Sequence, residues 1–449
     1  MDYLVNAPCG TVRGTKANVP GGIAYKGIRY ATAGRWEYPR QVKSWEGIYD
    51  ATEYGACCYQ PRTFFTPEEQ EKRSFYHREF REGQTFVYSE DCLFLNIFTP
   101  EEKREKLPVL VYIHGGSFTG CCAHEKHYDC PVWPREGVIA VTIQYRLGPL
   151  GFACLPELKE EAGYTGNYGL LDQLTALQWI RDNIAAFGGD PENVTILGQS
   201  AGAMSVQQLA FSPMSRGLFH KAVMMSGGGV HRLLSPAPAE KHYAFWKAAM
   251  KNAGCNTLED FRALAPEKLF AVWKQTQKEV PSGFYAPCID GRFVTDTGVS
   301  LLKQGAQHQI PYMAGSTQED MLPLILQDMA RNWCSAQKVP SYTWLFDRRL
   351  PGDDKGAWHS ADMWYWFGTL FRSWRPWRKK DHALSRQMVS YLCNFAKTGD
   401  PNGPGLPLWE PSSQSQAKVL RLGEKKTHMC QVSRLGLLLK TIQDPGMGV

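Results

Sequence analysis

Long uncharged apolar runs are missing from this 449-residue chain. A membrane helix needs about 20 of them in succession, so no membrane partner is expected. Charge of one sign is scarce too: 50 Lys and Arg stand against 44 Asp and Glu, a formal net charge of +6. The one dense basic cluster, "RSWRPWRKK" at Arg372–Lys380, reads as a solvated helix end, and no nucleic-acid partner is expected. The opening "MDYLVNAPCGTVRG" has neither the basic start nor the apolar core of a secretory leader. Cysteine is plentiful, but the thirteen residues are odd in number and scattered, with adjacent pairs at Cys57–Cys58 and Cys121–Cys122. CxxC spacing is absent, so no metal or cofactor is expected and the chain reads as cytoplasmic and reduced. No repeat or low-complexity linker divides it, so residues 1–449 are expected to form one domain.

What is present alternates. The opening runs "CGTVRGT" and "GIAYKGIRYA" read as hairpins turned at glycine and asparagine. Further on, "LFLNIFTP", "LPVLVYIHGG", "VIAVTIQYRLG", "NVTILGQS" and "KAVMMSGG" are short apolar runs closed by glycine or proline. Helical segments lie between the later ones, notably "GLLDQLTALQWIRDNIAAFG", where Leu170, Leu174, Leu177 and Ile180 share one face. Strands alternating with helices predict an α/β fold with a mostly parallel, doubly wound sheet. Ligands bind at the carboxyl ends of such strands, where the glycine-rich turns gather.

One turn stands out. In "NVTILGQSAGAMSVQQLAF" a β-prone run ends at Ser200 and a helical pattern follows, so the serine occupies a sharp strand-to-helix turn that small neighbours at Gly198 and Gly202 permit. A neutral hydroxyl is a weak nucleophile; it needs an imidazole base, and the base needs a carboxylate to fix its tautomer. On α/β-hydrolase sheets these follow in the order Ser, acid, His. Downstream of Ser200, the strand "QIPYMAGST" leads into Glu319 and Asp320, and "GAWHSADMWYWF" sets His359 in a turn. Upstream, "VLVYIHGGSF" supplies backbone N–H donors for an oxyanion at Gly115, Gly116 or Ser117, joined by the N–H of Ala201.

These runs resemble the type-B carboxylesterases, the α/β-hydrolase family that includes cholinesterases and bacterial para-nitrobenzyl esterases. The similarity extends through "SEDCLFLNIFTP", "HGGSF", "YRLGPLGF", "GNYGLLDQLTALQWIRDNIAAFGGDPENVTILGQSAGA", "AGSTQED", "WHSAD" and "FAKTGDPNG", in order along most of the chain. The resemblance implies an α/β-hydrolase fold with N-terminal hairpins, Ser200 as nucleophile, His359 as base, and Asp320 as acid. Glu319 stays open as an alternative acid, because the usual acidic order of the loop is inverted here and Met321 replaces a glycine. Ser226 matches a serine that supports the acid, with loop capping as its other reading. Cys58 and Cys92 hold positions that are bridged in relatives, and in a reducing setting are expected as neighbouring free thiols.

Only residues 321–358 separate Asp320 from His359, which is short for the family and implies a trimmed lid and an open mouth. Phe118 and Trp358 are candidate substrate contacts. The aromatic set Trp358, Trp364, Tyr365, Trp366, Phe367 and Phe371 reads as pocket lining or as core. His114 reads as a structural histidine, and Glu90 and Asp91 as partners of an arginine such as Arg146. The expected activity is hydrolysis of broad apolar or aromatic carboxylic esters through an acyl-enzyme, by a monomer or weak homodimer acting on a small-molecule ester. A non-catalytic adhesion-type member of the fold and an acyltransferase remain as alternatives.

Overall fold

The computed structural model describes residues 3–19, 21–102, 106–280, 286–415 and 418–443. A thirteen-stranded sheet spans it. Its strands in chain order are β1 (Tyr3–Ala7), β2 (Gly10–Lys16), β3 (Gly22–Arg29), β4 (Ile48–Asp50), β5 (Phe94–Pro100) and β6 (Leu107–Ile113). They continue as β7 (Ile139–Ile143), β8 (Gly189–Gln199), β9 (Lys221–Met225), β10 (Tyr312–Thr317), β11 (Tyr342–Phe346), β12 (Lys418–Leu422) and β13 (His428–Gln431). Across the sheet the order is β1-β2-β3-β5-β7-β6-β8-β9-β10-β11-β12-β13, with β4 alongside β2. The stretch from β7 to β12 is parallel, while β1 to β3, β5 and the closing β13 pair antiparallel.

The five apolar runs seen in the sequence become β5 to β9. Parallel strands covered on both faces need unbroken rather than alternating hydrophobicity, and β7, β9, β10 and β11 are buried at every position. Two hydrophobic cores result, one on each face. Helices α1 (Tyr168–Asn183), α2 (Ala201–Phe211) and α3 (Pro323–Ser335) cover one; α4 (Lys379–Thr398) and the segment around Met363–Trp366 cover the other.

Four expectations are corrected. The α1 helix is not half-exposed: Asp172 and Thr175, opposite its leucine face, are buried as well. Burial is tolerated because Asp172 accepts a forked pair from Arg146 Nη2 and Nε, at 2.7 and 2.9 Å. Arg146 is therefore unavailable to Glu90 and Asp91, which pair with Arg35 and Arg29. The basic cluster at 372–380 is only partly solvated, since the Arg375 guanidinium is fully buried between Glu79 (2.9 Å) and Asp353 (2.7 Å). Within 321–358, α3 and β11 precede the loop that leads to His359, and β11 is a buried strand of the central sheet, so those five residues are sheet rather than lid.

Candidate active site

Between the last residue of β8 and the first of α2, Ser200 alone makes the turn, at φ 57° and ψ −126°. Such a backbone is strained for any residue with a side chain. What forces it is close packing: a Cβ on Gly198 would stand 2.2 Å from Gly202 O, and one on Gly202 would stand 2.1 Å from Ile113 O. The Ser200 N–H donates to Met225 O at 2.8 Å, tying the turn to the end of β9. Its side chain remains partly open to solvent.

The strand β10 ends at Thr317, and the loop beyond it turns Asp320 back beneath the site. Its carboxylate accepts from the N–H groups of Thr317 (3.0 Å) and Met321 (2.9 Å), and from His359 Nδ1–H at 2.5 Å. Glu319 points elsewhere: Oε2 accepts from the Ala357 N–H at 2.8 Å, and its backbone bridges to Trp358. The two acids thus divide the work, with Asp320 meeting the imidazole and Glu319 clamping the loop that carries it. Burial alone would raise the Asp320 pKa, but the His359 charge and hydrogen bond bring it below the usual carboxylate range. Burial likewise opposes the imidazolium of His359, yet Asp320 lifts its pKa above 6.5. Ser226, at φ 50°, is held by its N–H to Gly315 O (2.7 Å), and its buried hydroxyl adds to the lowering of Asp320 without a full-length hydrogen bond of its own.

The far side of the ring is occupied by an amide. With Nδ1–H given to Asp320, His359 Nε2 carries the lone pair, and Gln199 Nε2 donates to it at 3.1 Å. Among the described residues Ser200 Oγ has no such bond. The Gln199 amide thus occupies the Nε2 position that a serine hydroxyl would need. A second carboxyl stands close by. Asp362 is fully buried, with Oδ2 bonded to Trp366 Nε1 at 3.1 Å and Oδ1 unpartnered among the described residues. Burial and the Asp320 charge push its pKa up to about 7. Sequence reasoning missed both residues, although one directly precedes the serine and the other follows the histidine by three positions.

After β6 the chain enters a left-handed run at Gly116, Ser117 and Phe118, with φ of 91°, 54° and 58°. Gly116 O accepts from both Thr119 and Gly120 N–H at 2.9 Å, closing the turn. A Cβ on Gly115 would stand 3.0 Å from Ser200 Cβ, so this loop lies directly against the serine. Among the described residues the N–H groups of Gly115, Gly116, Ser117 and Ala201 meet no acceptor. His114 is buried with its pKa pushed down to about 4 by desolvation, and as a neutral ring it bonds Gly115 O at 3.0 Å.

Phe118 packs inward, edge-on to Phe152 at 5.2 Å, and Trp358 is covered by Phe75 (5.1 Å), Tyr76 (6.0 Å) and Phe80 (5.6 Å). Of the aromatic set, Trp364, Tyr365, Trp366 and Phe367 are core, while Phe371 is exposed. Cys58 and Cys92 lie side by side as buried thiols; the Cys58 contact, with burial, raises the Cys92 pKa. No helix among the described residues is long and apolar enough to cross a membrane.

Known proteins resemble this chain in both sequence and fold. The carboxylesterase family model matches residues 2–334 and 325–436. A para-nitrobenzyl esterase of Bacillus subtilis is 36% identical over 71% of this chain, a match spanning 63% of that esterase's length. The bile salt-activated lipase of Mus musculus is 31% identical over 88% of this chain and 78% of its own. A solved thermophilic PNB esterase superposes with a TM-score of 0.85 at 28% identity, covering 97% of this chain and 99% of the other. With the parallel sheet, the strained serine turn and this likeness in hand, the chain belongs to the carboxylesterase family and has the α/β-hydrolase fold.

Proposed function

We propose that the protein hydrolyses carboxylic esters, with Ser200 as nucleophile, His359 as general base and then acid, and Asp320 as the carboxylate that orients the ring. The observation that carries this reading is the 2.5 Å Asp320–His359 hydrogen bond on loops beside the strained serine. In the first half-reaction Ser200 Oγ attacks the carbonyl carbon as His359 Nε2 takes its proton. The oxyanion is held by the N–H groups of Ala201 and the 115–117 loop, and the alcohol leaves with the proton from His359. Water then repeats the sequence on the acyl-enzyme. The Asp320 charge stabilises the transient imidazolium throughout, and no step calls on a metal or cofactor.

Apolar or aromatic esters fit the surroundings, as the names of the para-nitrobenzyl esterase relatives suggest. Phe75 and Tyr76 pack against Trp358, which directly precedes His359, and Ser117, after Gly116, and Met321 and Leu322, after Asp320, are exposed. The unbroken sheet from β1 to β13 supports one catalytic domain, which we take to work as a monomer or weak homodimer in the cytoplasm. Replacing Ser200 with Ala tests the assignment. Turnover of a para-nitrophenyl acyl ester is expected to fall by about 10⁶-fold, and an organophosphate label is expected on Ser200 of the parent; unchanged turnover would refute the reading.

A further inference from the structure

Outside the esterase site, the fold gathers three soft donors that no spacing motif announces. Cys57 Sγ, Cys122 Sγ and a ring nitrogen of His124 all lie within 4.8 Å of one another, and all three residues are buried. Cys57 Sγ stands 3.9 Å from His124 Nε2. Around a zinc-type ion, with bonds of about 2.3 Å to sulfur and 2.0–2.1 Å to nitrogen, tetrahedral donors stand roughly 3.5–3.8 Å apart. The observed triangle needs only a small contraction to reach that geometry.

Each donor is mounted rigidly. Cys57 N–H donates to Val87 O at 2.8 Å. The Cys122 carbonyl accepts from the Tyr128 hydroxyl, and the next residue, Ala123, donates its N–H to Gln144 Oε1 at 3.1 Å. The His124 ring is stacked on Tyr54 at 4.3 Å and 3°, with Phe86 also stacked at 5.2 Å, and its carbonyl accepts from Gln84 Nε2 at 2.9 Å. Without an ion, the imidazole contacts the Cys57 thiol at 3.9 Å, Nε2 to Sγ. With a divalent ion, two thiolates cancel its charge, so a neutral centre is what the interior must hold.

We propose that Cys57, Cys122 and His124 form a binding site for a thiophilic divalent cation of the zinc type, with the fourth position left to a small ligand such as water. The site would brace the loop carrying the oxyanion donors, because Cys121 Sγ lies 2.8 Å from where a Cβ on Gly116 would stand.

The test uses the full chain, purified without oxygen, stripped with a chelator and titrated with zinc, with cadmium as a chromophoric probe and copper(I) as a separate arm. Expected are one zinc per chain, a thiolate-to-cadmium charge-transfer band, and X-ray absorption at the zinc edge showing two sulfur ligands and one imidazole nitrogen. C57S/C122S and H124Q should lose stoichiometric binding, whereas C255S, a thiol elsewhere, should keep it. The X-ray absorption of the unmutated chain decides the matter if those variants fail to fold. The proposal is overturned by the absence of tight one-to-one zinc binding, by nitrogen and oxygen ligation alone, or by binding that survives in C57S/C122S. Uptake of copper(I) but not zinc, or a peptide map with a Cys57–Cys122 disulfide, would overturn it equally.

Discussion

At the scale of single residues, the pH response of the site rests on two carboxyls that both face His359. Asp320 and Asp362 each favour the imidazolium, and the net result is a pKa above 6.5. The base must be neutral to accept the Ser200 proton, so kcat/KM should fall as pH drops through that raised value. Burial and the Asp320 charge push the Asp362 pKa up to about 7, so it gains a proton of its own as pH falls. Asp362→Asn removes one source of negative charge, which lowers the His359 pKa and moves the acid limb of the kcat/KM profile to lower pH. A limb that stays in place would show that Asp362 has no electrical hold on the base. The tight turn at Ser200 and the pairing of Asp320 with His359 were legible because chemistry dictates the residue types and the motifs dictate their order. Gln199 and Asp362 were not, since an amide or a carboxyl gains meaning only from what burial places beside it.

The element that matters most is the strand–turn–helix unit of β8, Ser200 and α2. Its small residues were readable from sequence as a need for close approach, but the structure names what is approached: the end of β6. Gly202→Ala would drive a methyl group to 2.1 Å from Ile113 O. Overpacking of that kind costs about 1–3 kcal/mol, and the displaced turn should reduce kcat as well. A thermal midpoint and kcat both equal to those of the parent would contradict the packing argument. The parallel strands were legible for a simple reason: burial on both faces demands contiguous apolar residues. The burial of α1 beyond its leucine face was not, because periodicity marks that face without revealing that Arg146 arrives to neutralise Asp172.

On the scale of the whole molecule, long-range ion pairs fasten distant parts of the chain. The Arg375 guanidinium binds Glu79, nearly three hundred positions earlier, and Asp353 in the loop before His359, with no solvent access to the arginine or to Glu79. Read along the chain, this arginine belongs to a surface cluster; only folding supplies the partners that take it inside. Arg375→Met would leave the buried Glu79 charge with no cation on it and only the indole N–H groups of Trp364 (2.7 Å) and Trp374 (2.9 Å) to hold it, a loss of about 3–5 kcal/mol. Chemical denaturation should show it as a clearly lower midpoint, and an unchanged midpoint would mean that water reaches Glu79 after all.

The left-handed backbone at Ser200 sets chemistry and durability against each other. Glycine adopts φ near +57° with little cost, whereas the serine there stores about 1–3 kcal/mol of strain. A Ser200→Gly protein, though inert, should therefore melt above its parent in calorimetry. Directed evolution that rewards heat resistance alone would discard the one hydroxyl the enzyme exists to present.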